Sequence, residues 1–432
     1  MWRRIARDSI VLGGSALLMA ALQVAFRLLA VHALSVSAYG RVGLLIGVFN
    51  FAAIFGTFSV PIAAARLAAQ SEGLASGLRV MSITLRASAI PSLASSIGFA
   101  AVVFAVTGSS SLAALSALGV VPMVVSIVLA GFLRGKGNVV QAAVVQPVNT
   151  LAQLLALLLV VMSHSTTTAG WVLGSFYLGN LAAFAVAAVF IRGWIAGSHG
   201  TPVDPPRDGT ARDVIRFSTW LTVSNLALIG LTVTPRAVLA RLSYQDVAYL
   251  DLGLLIYSIP QRLTSSLVLA LVPVVARREA RGGPVSAPAI GDFLAITGAL
   301  FAVDALVWQT HLLPAALRAA GLARYSGAEN VLLIVLLGAP AELFFSVNSG
   351  LLQATGRSRR LASLTAPVLL ASLVLASVLA PLGATWLAGL LALDYWVLYG
   401  LSLRYAGLRV ARTSLLSALL AGPRPRQLPA RG

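Results

Sequence analysis

The sequence predicts an all-α polytopic membrane protein with about twelve transmembrane helices, arranged as two parallel six-helix lobes around a central cavity. Three observations lead to this fold class. Of 432 residues, 58% are hydrophobic and only 10% are charged, whereas soluble domains carry roughly a quarter charged residues. Apolar stretches of about 20 residues, the length of a membrane-spanning helix, recur along the chain. Several short motifs occur twice, in the same order, in the two halves.

The apolar stretches give the order of the elements. The first contains Arg27 and is longer than the apolar core of a secretory signal peptide, so we interpret it as a membrane span. The predicted spans cover residues 9–31, 42–65, 81–106, 112–133, 139–162, 169–191, 217–239, 248–274, 292–309, 330–352, 361–381 and 384–403.

The distribution of basic residues favours one orientation in the membrane. With the N-terminus in the cytoplasm, the outer loops hold few basic residues, namely Arg41, Arg241, Arg318 and Arg324. Nearly all the other basic residues fall on the inner side. The positive-inside rule therefore predicts that both termini are cytoplasmic. It also explains the net charge of +18 without a nucleic-acid partner.

The composition argues against cofactors and metals. The chain has no cysteine, and its four histidines are scattered, so disulfides and thiolate metal sites are excluded. No G-x-x-x-x-G-K-[ST] loop is present, so we expect no ATP hydrolysis by this chain.

The two halves repeat each other. "GFLRGKGN" (131–138) matches "GLLQATGR" (350–357), and "PIAAAR" (61–66) matches "PVVAR" (273–277). Because each half has six helices, an even number, both halves begin on the same side of the membrane. This predicts a parallel repeat, related by an axis normal to the membrane. The predicted units are an N-terminal lobe (1–191), a cytoplasmic linker (192–216), a C-terminal lobe (217–403) and a basic cytoplasmic tail (404–432).

The run "FRLLAVHALSVSAYGRVGLLIGVFNFAAIFGTFSVPIAAARLAAQ" (26–70) resembles the opening of polysaccharide and oligosaccharide-lipid flippases. These belong to the multidrug/oligosaccharidyl-lipid/polysaccharide (MOP) exporter superfamily. "RLSYQDVAYLDLGLLI" (241–256) and "VPVVARREA" (272–280) resemble the matching part of its second half.

The resemblance implies a flippase of the bacterial inner membrane, not an enzyme. It would move an undecaprenyl-pyrophosphate-linked oligosaccharide from the inner to the outer leaflet by alternating access. Its partners would be this lipid-linked glycan, membrane lipids and other proteins of polysaccharide biosynthesis. Many members have fourteen helices, whereas about twelve are predicted here. Two other branches of the superfamily therefore stay open: flippases of lipid-linked peptidoglycan precursors, and multidrug or organic-cation exporters. A glycan polymerase is disfavoured, because the outer loop near 309–329 holds no carboxylate pair.

Arginines inside the spans are the first candidates for substrate binding, because a charge in the bilayer is costly and usually functional. Arg27, with Gln23 one turn earlier, and Arg236, with Asn225 behind it, occupy matching places in the two lobes. A pair of arginines facing the cavity could hold a pyrophosphate bidentately. The alternative is that both anchor helix ends at the membrane surface. Arg262, beyond Pro260, is a third cationic candidate.

Polar stripes and acids complete the set of candidate residues. Asn149 and Gln153 share one face of the fifth span, where they either line a wet cavity or join helices. Asp251, Glu342 and Asp394 are candidates for binding H⁺ or Na⁺ if transport is ion-coupled. The alternative for each acid is neutralisation by a neighbouring arginine.

Overall fold

The computed structural model describes residues 2–71, 73–163, 167–197, 211–255, 257–258, 298–299, 302, 305–306, 309, 312–319, 321–354 and 357–406. Regular structure in these ranges is helical. The helices are α1 (Trp2–Ala33), α2 (Val36–Thr57), α3 (Val60–Gln70), α4 (Gly73–Thr107), α5 (Ser110–Gly135), α6 (Val139–Ser163), α7 (Ala169–Gly197), α8 (Ala211–Leu239), α9 (244–255), α10 (Leu312–Ala319), α11 (Gly327–Leu336), α12 (Ala339–Ala354), α13 (Ser358–Leu379) and α14 (Ala384–Ala406). Short 3₁₀ turns at Ala323–Tyr325 and Ala380–Leu382 precede α11 and α14.

The described helices agree with ten of the twelve predicted spans. Within the described ranges, nine helices are long and apolar enough to cross a membrane, and the pair α11 and α12 adds a tenth if it forms one span. The predicted spans 248–274 and 292–309 lie mostly outside the described residues. The all-α polytopic fold is therefore confirmed, whereas the domain boundaries stay a prediction.

The second predicted span, 42–65, is two helices in the structure. Phe58 and Ser59 have left-handed backbone angles, with φ of 47° and 52°, and separate α2 from α3. Pro61 follows in the first turn of α3, where its missing N–H would otherwise be unpaired. A proline at this place cannot continue the hydrogen-bond ladder of α2, which explains the break.

A similar break divides the predicted span 330–352. The axes of α11 and α12 are bent by 49°, and Pro340 lies in the first turn of α12. Because proline removes a backbone donor and clashes with the preceding turn, it accounts for this bend. The bend turns the polar residues of α12 toward the centre of the protein.

The helices pack as two groups. Helices α1 to α7 form the N-terminal group, in which α1 packs on α6 and α5 packs on α4 and α7. Helices α8 to α14 form the C-terminal group, in which α13 packs on α8, and α14 packs on α11, α12 and α13. The groups meet chiefly where α2 contacts α8. This seam between the groups contains the candidate site.

Candidate functional site

A cavity of about 440 Å³ lies between the two helix groups. The N-terminal group contributes α1 and α2 to its wall, and the C-terminal group contributes α8, α9, α12 and α14. Its size is within the range of small-molecule sites, about 300–1,000 Å³. The polar side chains lining it are Gln23, Arg27, Asn50, Asn225, Thr232, Arg236, Asp251, Tyr257, Ser258, Glu342, Ser346 and Tyr395.

Asp251 on α9 is the centre of a charged cluster in this cavity. Arg27 Nη1 of α1 donates to Asp251 Oδ2 at 2.9 Å, and Arg236 Nη2 of α8 lies 3.0 Å from Oδ1. The hydroxyl of Tyr39 donates to Oδ2 at 2.9 Å. One carboxylate therefore joins both helix groups through two arginines and a tyrosine, although Arg27 and Asp251 are 224 positions apart.

The cluster has one more positive than negative charge. Asp251 is only 2% exposed, whereas the side chains of Arg27 and Arg236 are 13% and 11% exposed. A buried carboxylate is stable in a membrane protein only when cations and donors surround it, and here Asp251 holds both guanidinium groups in place. Arg27 donates to Asp251 through Nη1, and its side chain lines the cavity, where a ligand would meet it.

Glycines on α2 allow the cluster to form. Gly40, Gly43 and Gly47 lie on one face of the helix, at i, i+3 and i+7. A Cβ at Gly40 would lie 1.8 Å from the carbonyl oxygen of Tyr244, and one at Gly43 would lie 2.8 Å from Cγ of Asp251. Only residues without a side chain let α9 approach this closely.

Pro235 and Arg236 are adjacent on α8, and the pair has a local role. Pro235 lies inside the helix and removes one backbone donor. Nη1 of Arg236 donates to the carbonyl of Thr232 at 2.7 Å. This bond fixes the guanidinium against its own helix, while Nε and Nη2 point to Asp251.

A second polar cluster lies in the same cavity. The hydroxyl of Tyr257, two residues beyond the end of α9, donates to Oε2 of Glu342 on α12. Tyr395 of α14 packs its ring near that of Tyr257, with centroids 6.4 Å apart. Ser258, Ser346 and Phe345 also line this part. The cavity therefore has an arginine end and an end formed by aromatic rings and a carboxylate.

Contacts between the helix groups close the arginine end. Nη2 of Arg324 donates to the carbonyls of Val31 and Leu34, at 2.8 and 3.0 Å, and so binds the C-terminal end of α1. The rings of Tyr39 and Tyr325 meet edge to face, with centroids 5.9 Å apart. Terminal helix carbonyls have no partner in their own helix, so Arg324 satisfies them from the other group.

The structure brings together six of the ten residues that the sequence singles out. All six line the cavity, and the contacts of Arg27, Arg236, Asp251 and Glu342 are given above. Asn225 donates through Nδ2 to Oγ of Ser59 at 3.2 Å and so adds another contact between the groups. The six residues are Gln23, Arg27, Asn225, Arg236, Asp251 and Glu342.

Asn149 and Gln153, which were candidates for the cavity wall or for a contact between helices, do not line the cavity and instead join helices. Gln153 Nε2 donates to Asn149 Oδ1 at 2.6 Å, and Asn149 Nδ2 donates to Asn180 Oδ1 at 3.0 Å. The three residues are at most 3% exposed. The shared face of Asn149 and Gln153 is real, but that face packs against α7, where Gly179 leaves space for it. We call Asn149, Gln153 and Asn180 the amide cluster.

The remaining candidates do not reach the cavity or cannot be placed. Asp394 is buried between α13 and α14, where Oγ of Ser372 donates to Oδ2 at 2.7 Å. It does not line the cavity, and an ion-coupling role for it stays a prediction. Arg262 and Pro260 lie outside the described residues.

Sequence reasoning missed the aromatic members of the site. Tyr39 lies in a stretch used only as a sign of resemblance, and Tyr257 and Tyr395 carry no motif. One signal was present: the i, i+3, i+7 spacing of the α2 glycines predicts a face for close helix packing. No sequence pattern indicates which acid would meet that face.

The fold is similar to that of solved MOP superfamily transporters. One from Pyrococcus furiosus Vc1, described as having a binding pocket of reverse polarity, is 16% identical, with a TM-score of 0.55, over 93% of this chain and 94% of that chain. An inward-facing multidrug resistance MATE family transporter is 17% identical, with a TM-score of 0.60, over 92% and 97%. The lipid II flippase MurJ, in an inward closed conformation, is 14% identical, with a TM-score of 0.62, over 96% and 89%.

At these identities the similarity shows the fold alone. No family model matches the sequence, and no curated protein matches it. The chain therefore shares the fold of these transporters.

Proposed function

We propose that this protein is a flippase that moves an undecaprenyl-pyrophosphate-linked oligosaccharide from the inner to the outer leaflet of the bacterial inner membrane. The observation that carries the proposal is the pair of arginines, Arg27 and Arg236, held by one buried carboxylate at the closed end of the cavity. The substrate would serve cell-surface polysaccharide synthesis, together with membrane-bound biosynthetic partners.

The arginine pair suits a pyrophosphate group. Guanidinium groups bind phosphate oxygens through parallel hydrogen bonds, and Arg27 and Arg236 approach from opposite helix groups. Asp251 orients both before the substrate arrives, so little side-chain freedom is lost on binding. The charged cluster carries an excess of one positive charge, so its end of the cavity favours an anionic group over a neutral one, while Glu342 at the other end balances this charge.

The closed end is compatible with transport that starts from the cytoplasmic side. With cytoplasmic termini, as the positive-inside rule predicts, the C-terminal end of α1 faces outward, and so does the contact made by Arg324. The substrate head group enters from the cytoplasmic side and meets the arginines at the outer end of the cavity. Separation of Arg324 and Tyr325 from α1 then opens the outer side, as alternating access requires.

The lipid tail stays in the bilayer while the head group crosses. A polyprenyl chain gains nothing by entering a polar cavity, since hydrocarbon already surrounds it in the membrane. Helix α1 carries Arg27 yet is largely exposed along its apolar length, with 22% of its most apolar window buried. The tail therefore passes beside α1.

If transport is coupled to an ion, Glu342, Asp251 or Asp394 binds that ion.

An organic-cation exporter is the second candidate function. Glu342, with the rings of Tyr257 and Tyr395, forms a part of the cavity that also suits a lipophilic cation. The two arginines in the same cavity disfavour such a ligand by repulsion. A flippase of lipid-linked peptidoglycan precursors is a variant of the first proposal, with the same pyrophosphate and another glycan.

Deletion of the gene tests the proposed function. Lipid-linked glycans are extracted and identified by mass, and their leaflet is determined with a membrane-impermeant reagent that oxidises sugars. We expect accumulation confined to the inner leaflet, restored to both leaflets by the wild-type gene. Normal distribution with increased sensitivity to cationic compounds would support the exporter instead.

A further inference from the structure

The two ends of the cavity differ in their distance from the contact that closes it. Asp251 lies on α9, and Tyr257 follows six residues later in the chain, a spacing that corresponds to about 9 Å along a helix axis. The arginine end is next to the closing contact of Arg324. The aromatic and carboxylate end therefore lies about 9 Å further from the closed end, toward the side from which a substrate enters.

The aromatic and carboxylate end has the chemistry of a sugar site. Carboxylate oxygens accept hydrogen bonds from hydroxyl groups, and Ser258 and Ser346 add further hydroxyls. Tyr257, Tyr395 and Phe345 are buried aromatic side chains that border the same region. Pockets with aromatic walls and a few placed polar groups fix the orientation of a ligand.

The position of Glu342 is defined by neighbours from two other helices. It is 6% exposed, accepts from the hydroxyl of Tyr257 just beyond α9, and lines the same cavity as Tyr395 of α14. These neighbours place its carboxylate in the cavity wall. The same cavity thus recognises anionic groups at one end and hydrogen-bond donors at the other.

We propose that Glu342, Tyr257 and Tyr395 bind the first sugar of the substrate, the one attached to the pyrophosphate that Arg27 and Arg236 hold. This inference rests on the proposed function and deepens it. The pyrophosphate enters first and reaches the closed end, while the sugar trails behind it on the entry side. The volume of about 440 Å³ accommodates the pyrophosphate with its nearest sugar, and any longer glycan extends out of the cavity.

Binding measurements on the purified full-length protein test this assignment. The probes are undecaprenyl pyrophosphate and the same lipid carrying one N-acetylglucosamine. We expect Glu342→Gln to weaken binding of the sugar-bearing lipid about tenfold, the size of a lost hydrogen bond to a charged group, and to leave binding of the bare lipid unchanged. Arg27→Ala weakens binding of both lipids.

Two further variants keep the test decisive. Tyr257→Phe removes the hydroxyl that orients Glu342 and changes little volume, so it serves if Glu342→Gln does not fold. Glu329→Gln, at the start of α11 and away from the cavity, is the matched control and leaves both affinities unchanged. Thermal unfolding of each variant shows whether the fold is retained.

The outcomes separate the inference from the proposed function. Equal weakening of both lipids by Glu342→Gln and Tyr257→Phe, or no effect on either, overturns the sugar site and leaves the flippase proposal standing. The sugar site is also overturned if these variants lose binding of the lipophilic cation tetraphenylphosphonium but retain both lipid affinities. If Arg27→Ala leaves both lipid affinities unchanged, the proposed function itself is wrong.

Discussion

This membrane protein has two buried polar clusters, and they differ in what they face. The charged cluster of Arg27, Asp251 and Arg236 joins the two helix groups and borders a cavity. The amide cluster of Asn149, Gln153 and Asn180 lies within the N-terminal group and borders only other helices.

The difference teaches that burial of polar groups does not by itself identify a transport site. The amide cluster uses its hydrogen bonds to hold α6 against α7, an ordinary way of joining helices in lipid. The charged cluster uses ionised groups whose burial is unfavourable unless they are paired. Its partners come from both groups, so any relative movement of the groups must change it.

Removal of the central carboxylate has the largest expected effect. Asp251→Ala leaves two guanidinium groups without their counter-ion, and breaking a buried pair in this way destabilises proteins by about 3–5 kcal/mol. We expect a strongly lowered unfolding temperature in detergent and little folded protein. The combined variant Arg27→Met, Arg236→Met and Asp251→Leu, which removes all three charges of the cluster, recovers stability but not transport. Full stability of Asp251→Ala alone would contradict the account of the charged cluster.

Loss of the closing contact has the next largest effect. Arg324→Ala removes the hydrogen bonds to the carbonyls of α1, so we expect the outer side to open more often. The chain has no cysteine, so a single introduced Asn50→Cys reports access to the cavity without background. The rate of labelling by an impermeant maleimide from outside should rise about tenfold, which corresponds to the free energy of one hydrogen bond made by a charged group.

The control for this prediction is Arg318→Ala. Arg318 is an exposed arginine near Arg324 whose Nε donates to the carbonyl of Pro314 in its own helix at 3.3 Å. Its removal should leave the labelling rate unchanged. Equal rates for Arg324→Ala and wild type would mean that the contact with α1 does not hold the outer side closed.

The amide cluster gives the smallest expected effect. Asn149→Ala removes one acceptor and one donor between helices, and such bonds in membrane proteins contribute about 0.6 kcal/mol on average. We expect a slightly lowered unfolding temperature and unchanged affinity for lipid-linked glycan. Loss of transport at retained stability would place the amide cluster in the transport machinery and remove the contrast with the charged cluster.

The sequence was sufficient for the parts of this comparison that depend on local pattern. Apolar length identifies the spans, and helical spacing correctly puts Asn149 and Gln153 on one face. It could not show that this face packs inward, because the spacing is the same for a cavity wall and for a helix contact. The partnership of Arg27 with Asp251 joins distant helices, and no local pattern carries that information.

Helix breaks show the same division between local and tertiary information. Pro61 and Pro340 were visible as residues that disfavour a continuous helix, yet a proline such as Pro122 remains inside α5. The left-handed angles at Phe58 and Ser59 lie at the break between α2 and α3, just before Pro61. A proline thus marks where a helix can break, but its presence alone does not decide where a helix does break.

Flipping of a lipid-linked glycan in proteoliposomes tests the central claim most directly. Wild-type protein is compared with Arg27→Ala and Arg236→Ala, using undecaprenyl pyrophosphate bearing a short fluorescent oligosaccharide, whose exposed fraction is quenched from outside. Arg359→Ala, which removes an arginine at the start of α13 that stacks on Trp220, is the matched control. The account predicts flipping by wild type and Arg359→Ala and its loss in both cavity variants. Flipping at the wild-type rate by correctly folded Arg27→Ala and Arg236→Ala would contradict it.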